Sequence, residues 1–394
     1  MMNACNDAAD KNNAGKTYPP GSFGYDAQFL QQYDSIVILS AGDAQVIVSP
    51  KYQAKVFTST ATGNNGKSFG WINYKAFTAV TDAHMNAYGG ENRFWLGPEG
   101  GHYSLFFAPK ATMEFTNWKT PAPFDTEPWE IISQDEPSVT LHKNMQLTNY
   151  AGTSLSIAVE RKISLLTAQA IADTLQLPFD TSVKAVGYET VNTLTNGGKQ
   201  AWNETTGMPC VWMLDMMPPS AQTVIIMPYK TNVPDTSSAV ANTGYFGEIP
   251  ADRIKYVNGV LLFKADGKSR GKLGIGPARA MPVAGSYDAQ NQVLTITLFD
   301  VDATGHYLNQ EWNTAQPPFS GDVVNAYNDG SLADGSQMGP FYELESVSPA
   351  AFLPPGQSLT HRHSVFHFTG NEQVLNTISQ KILHISLEAI KKAF

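Results

Sequence analysis

Ser138-Val139-Thr140-Leu141-His142-Lys143-Asn144-Met145-Gln146-Leu147 and Ser154-Leu155-Ser156-Ile157-Ala158-Val159-Glu160-Arg161-Lys162-Ile163-Ser164-Leu165 flank the turn Asn149-Tyr150-Ala151-Gly152. In both runs apolar and polar side chains alternate. A period of two is that of a β-strand with one face in a core and the other in water, whereas a helix would space its apolar residues near 3.6. Asn and Gly between the runs supply turn chemistry. A hairpin this long needs further strands to cover its apolar face, and the chain on either side supplies them.

Upstream, Ser35-Ile36-Val37-Ile38-Leu39-Ser40 and Ala44-Gln45-Val46-Ile47-Val48-Ser49 are β-branched runs split by Gly42-Asp43, a hairpin signal. Residues 56–59, 69–73, 76–80 and 103–107 continue the strand pattern. A long Pro-rich connection, Asn117 to Trp129, follows; loops of that length are usually functional or cover something. Downstream, strands are predicted over 184–194, 211–217, 222–229, 253–263, 293–300, 341–347 and 359–368. Two helices are expected. One spans Thr167 to Leu175 with Thr167 as N-cap. The other is a single closing amphipathic helix from Glu372 to Lys392, carried by Val374, Leu375, Ile378, Ile382, Ile385 and Ile390. Strand runs do not alternate with helices and no fixed repeat is visible. The expected fold is therefore all-β, a large antiparallel β-sandwich with one C-terminal helix. Residues 1–21 read as a flexible tether and 22–394 as one domain.

Composition narrows the function. Hydrophobic residues make up 42% of the chain, enough for a sizeable core, while 32 Gly and 24 Pro suit short strands joined by turns. The net charge is −9 without any Lys/Arg run, which argues against a nucleic-acid partner. No P-loop or dinucleotide fingerprint occurs, and no cofactor is expected. No apolar run approaches the length of a membrane span. Of the two cysteines, Cys210 lies in an apolar run and reads as a buried thiol. Cys5 follows a small residue and precedes a polar tract, like the end of a bacterial lipoprotein signal. A lipid anchor on Cys5 and an extracytoplasmic location, periplasmic or at the cell surface, are the expectation.

The richest chemistry lies in Gly89-Gly90-Glu91-Asn92-Arg93-Phe94-Trp95-Leu96-Gly97-Pro98-Glu99-Gly100-Gly101-His102. Glycines allow close backbone approach, Trp95 offers a flat apolar face, and Arg93 and Glu99 offer charged hydrogen bonds. That mixture suits a mono- or oligosaccharide. A second polar stretch, Gly321 to Gly330, carries Asn325, Tyr327, Asn328 and Asp329 and is expected as a loop contacting sugar. Its clustered oxygens would also suit calcium, although their order does not fit an EF-hand.

Toward the C-terminus, Tyr342-Glu343-Leu344-Glu345-Ser346-Val347-Ser348-Pro349, Leu353-Pro354-Pro355-Gly356-Gln357-Ser358 and His363-Ser364-Val365-Phe366-His367-Phe368 resemble the end of the aldose 1-epimerase (galactose mutarotase-like) superfamily. Asn92-Arg93-Phe94 resembles the segment that carries a substrate-binding arginine there. Gly89-Gly90 and Phe94 to Glu99 look closer still to uncharacterised Bacteroidetes relatives of that fold. The resemblance implies a β-supersandwich with a sugar cleft on one sheet face. It implies that Glu345 is the carboxylate base for the anomeric hydroxyl, that Arg93 binds substrate, and that Glu343 is a partner or the base itself.

The superfamily's acid is a histidine on a mid-chain strand. The corresponding region here has none, and Trp212 stands about where it should be. His84 and His102, which flank the glycine loop, are the candidates to replace it. His361, His363 and His367 share one strand face, expected to be exposed, with no metal ligand set of recognised spacing. Three functions stay open on the sequence: a sugar-binding protein that interconverts anomers or epimers, a non-catalytic sugar-binding or accessory lipoprotein, and a component of a polysaccharide lyase or hydrolase.

Overall fold

The computed structural model describes residues 16–178 and 181–394. Its longest hairpin is the one expected. β6 (Ser138–Thr148) and β7 (Ser154–Leu165) pair antiparallel from Ser138↔Ser164 to Thr148↔Ser154. Val139, Leu141, Met145, Leu147, Leu155, Ile157, Val159, Ile163 and Leu165 are buried on one face. Arg161 falls on that same apolar face and is buried with them.

This hairpin belongs to a ten-stranded antiparallel sheet ordered β11-β12-β10-β14-β15-β18-β8-β7-β6-β5. The other members are β5 (Glu130–Asp135), β8 (Val183–Asn196), β10 (Thr223–Pro228), β11 (Ile254–Val257), β12 (Val260–Lys264), β14 (Val283–Asp288), β15 (Val293–Phe299) and β18 (Ser358–Gly370). A five-stranded sheet packs on it in the order β13-β16-β17-β9-β4. These are β4 (Arg93–Gly97), β9 (Cys210–Met217), β13 (Gly271–Ile275), β16 (Val324–Asn328) and β17 (Tyr342–Val347). The sheets meet through one apolar core that includes Phe94, Leu96, Met213, Leu273, Ala326 and Leu344 from the smaller sheet and Val159, Tyr188 and Val365 from the larger. Cys210 is a buried free thiol in this core. A third sheet, β1 (Val37–Ala41), β2 (Ala44–Ser49) and β3 (Lys55–Thr60), carries the hairpin turn at Gly42-Asp43. The result is the all-β antiparallel sandwich that alternation predicts.

A polar chain runs through the contact between the two large sheets. Arg161 donates to Ala54 O (3.0 Å), to Asn192 Oδ1 (2.6 Å) and to Asn92. Asn92 Nδ2 donates to Asp215 Oδ1 (2.6 Å), and His363 Nε2 meets Asp215 Oδ2 (2.7 Å). Ser346 Oγ lies 2.8 Å from His363 Nδ1 and 2.9 Å from His361 Nε2. Beside it, His367 Nε2 sits 3.0 Å from Glu91 Oε1. The three histidines are thus buried, not exposed as the strand pattern suggested. The face they occupy is the inner one, where His363 and His367 find polar side-chain partners for both ring nitrogens and His361 for Nε2 alone, its Nδ1 being without a hydrogen-bond partner among the described residues. Ser346, His363 and Asp215 are ordered like a nucleophile, a base and its orienting acid. All three are buried, and none lines the cleft described below.

Three other expectations are corrected. The closing segment is two helices, α3 (Glu372–Ile382) and α4 (Leu387–Lys391). His384 at φ 59° breaks it, and Ser386 caps the second helix by accepting from Ala389 N at 3.2 Å. Both helices lay Leu375, Ile378, Leu387 and Ile390 on the outer face of the large sheet, against Ile226, Leu262, Ile296 and Phe366. α2 (Ala168–Leu175) covers the same face, with Thr167 as N-cap. An unpredicted helix, α1 (Phe23–Leu30), starts at the Ser22 cap and packs on the third sheet. Residues 69–73, 76–80 and 103–107 are not ladder strands. Leu105, Phe106 and Phe107 are instead an irregular plug in the main core, tied by Leu105 N to Pro98 O and by Phe106 O to Lys119 N rather than by a strand ladder.

Candidate functional site

Side chains on a strand alternate between its two faces. On β17, Tyr342, Leu344 and Ser346 point to the inner core: Tyr342 Oη lies 2.7 Å from Ser286 Oγ on β14, and Ser346 joins the buried polar chain. Glu343 and Glu345 therefore face away from the large sheet. The register extends this into two cross-strand rows. One reads Lys272, Tyr327, Glu343, Met216; the other reads Gly274, Asn325, Glu345, Leu214, Arg93. Trp95 and Trp212 pair in the next position. This charged, aromatic face is the floor of a cleft of about 380 Å³. Its walls carry Glu99, Phe115, Trp118 and Trp312 from loops, with His84 at the edge, and Phe246, Arg270 and Phe341. The mixture of apolar planes and a few convergent polar groups is that of a small-molecule site.

Two buried ion pairs organise the floor. Arg93 donates to Glu343 Oε1 across 250 positions of sequence. Lys272 Nζ donates to Glu345 Oε2 at 2.8 Å, and Trp212 Nε1 donates to the same oxygen at 2.8 Å. Among the described residues, Glu345 Oε1 has no hydrogen-bond partner, and neither has Arg93 Nε. Lys272 also lies 4.7 Å from the centre of the Trp212 ring, and the Arg93 guanidinium 5.2 Å from that of Trp95. Burial by itself would lower the Lys272 pKa, but the carboxylates of Glu345 and Glu99 outweigh it and the pKa is raised. Burial raises the Glu343 carboxyl above the usual range; Arg93 opposes the rise and Glu345 adds to it. Glu99 is raised chiefly by burial, against the pull of Lys272 and the Trp312 indole.

Local chemistry explains how these groups are held. Gly89 turns the chain into β4 at φ 81°, and Lys55 Nζ donates to its carbonyl at 2.9 Å. A Cβ there would lie 2.3 Å from Trp71 O, so the turn requires glycine. Gly274 leaves room beside Asn325: a Cβ would sit 2.1 Å from Asp322 Oδ2.

Arg93, Trp95, Glu99, Tyr327, Glu343, Glu345 and His84 all reach the cleft. His84 holds its Nδ1 2.6 Å from Trp118 O and stacks on Phe115. His102 is not brought there. It is exposed beside Tyr103, because Gly101 turns it off the end of the glycine loop. The stretch Gly321 to Gly330 is not a loop but contains β16, and three of its residues serve the fold. Asn325 Nδ2 donates to Tyr245 Oη (3.2 Å). Asn328 accepts from Gly267 N (2.9 Å) and donates to Ser269 O (2.8 Å). Asp329 accepts from Gly339 N (2.8 Å) and Gln337 Nε2 (3.0 Å). None of the three lines the cleft. Among the described residues, no group of three or more His, Cys, Asp or Glu side chains could hold a metal ion. Cys5 lies outside the described residues.

A profile of a family of unknown function, DUF6786, matches residues 21–394. The chain belongs to that family. No curated protein sequence matches it. Among solved structures, the DUF6786 fold is similar to the Slr1438 protein from Synechocystis sp. PCC 6803, at 12% identity and a TM-score of 0.52, over 86% of this chain and 96% of that one. It is also similar to a galactose mutarotase-like protein from Lactobacillus casei ATCC 334, at 9% identity and a TM-score of 0.51, over 84% of this chain and all (100%) of the other. A putative aldose 1-epimerase from Escherichia coli K12 aligns at 14% identity with a TM-score of 0.48, over 84% and 98%. The fold is galactose mutarotase-like.

Lys272, Arg270, Trp118, Trp312 and Phe246 belong to the DUF6786 cleft and were not predicted as site residues. Lys272 leaves a trace in sequence, as a lone cation in the short run Gly271-Lys272-Leu273-Gly274-Ile275. Trp118 sits in the Pro-rich connection whose length marks it as a cover. Nothing local distinguishes Trp312 or Phe246 from ordinary loop aromatics.

Proposed function

We propose that the protein binds a sugar in this cleft and interconverts its anomers, with Glu345 as the base. The observation that carries this is the state of the Glu345 carboxylate. Two donors hold one of its oxygens, the other has no hydrogen-bond partner among the described residues, and it stands in the floor of a cavity lined by four tryptophans. Glu345 takes the proton from the anomeric hydroxyl, the bond between C1 and the ring oxygen breaks, and C1 becomes a carbonyl. The ring oxygen takes a proton as it leaves. Glu99 supplies it, since its buried carboxyl keeps a proton to higher pH than an exposed one. Closure on the other face of C1 gives the second anomer and returns both protons. Arg93 orients hydroxyls and Trp95 and Trp212 offer planes to the sugar ring.

A second function, binding without turnover, is favoured by Trp212. Its indole N–H occupies an oxygen of the base, and no floor strand carries a histidine toward the cleft. Exchange between α- and β-glucose or α- and β-galactose, followed by NMR with and without protein, separates the two. Acceleration that E345Q abolishes supports catalysis. No acceleration together with a sugar-induced rise in melting temperature supports binding alone. Neither effect overturns both. The same proposal holds that the protein works outside the cytoplasm, tethered by a lipid on Cys5. Mass spectrometry of the protein from its native membrane fraction tests this, and an unmodified Cys5 refutes it. No helix among the described residues is long and apolar enough to cross a membrane.

A further inference from the structure

We propose that the ligand is a reducing oligosaccharide, its reducing-end ring on the charged floor and its next rings held between two aromatic walls leading to the mouth. This rests on the sugar function proposed above and extends it to a substrate class. Three large apolar side chains of the cleft are exposed: Phe115 (61%), Met338 (43%) and Phe246 (42%). Single exposed apolar residues are ordinary, but several converging on one cavity mark a binding surface.

The walls are built as stacks. On one side the His84 ring lies 4.6 Å from Phe115 at 17°, Phe115 lies 6.1 Å from Trp118 at 18°, and Trp118 lies 5.9 Å from Trp312 at 23°. A second group rises from the floor residue Tyr327: the Arg270 guanidinium lies 3.8 Å over Phe246, Phe246 meets Tyr327 edge-on at 5.9 Å, and Tyr327 lies 5.6 Å from Phe341. Rings supported by neighbours lose little side-chain freedom when a ligand arrives. The two ion pairs and the Trp212 donor are all on the floor. A first sugar ring has hydroxyl partners there, whereas rings nearer the mouth meet mostly aromatic planes. Pyranose rings present apolar C–H faces that stack on such planes. Glu345 requires a free anomeric hydroxyl, so the reducing end enters first and the rest of the chain leads outward.

Calorimetric titration of the full chain with glucose, galactose, maltotriose and cellotriose tests this, with octyl glucoside as the apolar control. At least one trisaccharide is expected to bind about tenfold more tightly than the monosaccharides, a difference of about 1.4 kcal/mol. In F115A and F246A, whose folding is checked by thermal melting, that ratio falls to about threefold or less. Equal affinity for one ring and three overturns the inference and leaves the sugar function standing. So does a ratio that survives both substitutions, or an octyl glucoside that matches the trisaccharide. Failure of every sugar to bind the unmodified protein overturns the sugar function and this inference with it.

Discussion

Lys272 Nζ and Glu345 Oε2 meet at 2.8 Å with both side chains buried, although 73 positions separate them in sequence. Breaking such a pair leaves one charge in a dry site, which typically costs about 3–5 kcal/mol. K272M is expected to destabilise the protein by an amount in that range, and the K272M/E345Q double variant by clearly less. Urea unfolding of K272M, E345Q, the double variant and the unmodified protein gives the cycle. A double variant as unstable as the sum of the singles would mean the pair is not coupled.

Trp212 contributes a donor as well as a plane. W212F keeps an aromatic ring in the floor but removes the N–H that reaches Glu345. A hydrogen bond to a charged group contributes about 1.5–3 kcal/mol. W212F is therefore expected to lower the melting temperature and, since the lost donor stabilises the resting carboxylate rather than the transition state, not to slow anomer exchange. NMR exchange rates measured beside thermal melts check this.

For the proton donor, the expectation is that E99Q lowers exchange by at least 100-fold, in the range general acid catalysis supplies (about 10²–10⁴). H84Q, at the cleft edge with its Nδ1 held by Trp118 O, is expected to cost less. The reverse order would assign the acid to His84.

Lys55 gives the molecule a pH signature independent of function. It is buried, donates to Gly89 O, and has its pKa lowered to about 7 by burial and then by Arg93, against a weaker pull from Asp125. The folded state thus holds this proton less tightly than the unfolded chain does. Below about pH 7 the buried charge is a cost. As pH rises from there toward the ordinary lysine value, the unfolded state binds more protons and the Lys55 contribution to stability increases. K55M removes this dependence. Its stability relative to the unmodified protein is expected to be greatest near pH 6 and to fall by on the order of 3–5 kcal/mol by pH 10. Urea midpoints across that range provide the check.

Ser346 joins two buried histidines. S346A strips the partner from His361 Nε2 and His363 Nδ1. An unsatisfied buried group costs about 1–3 kcal/mol, so a loss of roughly 2–5 kcal/mol is expected by denaturant unfolding. Burial lowers the His361 pKa to about 3, so protonation does not rescue it near neutral pH.

Long strands were legible because alternation is local: β6, β7 and β8 announce their faces residue by residue. α1 was missed because the face it buries mixes Phe23, Ala27 and Leu30 with Gly24 and Asp26, whereas the equally short α2 is Ala- and Leu-rich and buries Ile171 and Leu175. The break before α4 was missed because the apolar spacing continues past His384 while the backbone does not. Glu345, Arg93 and Glu343 were legible as candidates, yet their meeting depends on a strand order that pairing alone creates. Lys272 required β16 to stand between β13 and β17. Asn328 and Asp329 look like ligands in sequence because the side chains that bond sugars also bond backbone. Only the identity of their partners tells the two apart.

Because Glu343 and Glu345 look outward while Leu344 and Ser346 look inward, β17 carries two incompatible chemistries on one thread, and deleting a single residue within it would push acid into oil and grease into water. Change in this family should therefore concentrate in the surrounding loops, with that segment tolerating exchange of letters but not a change of count.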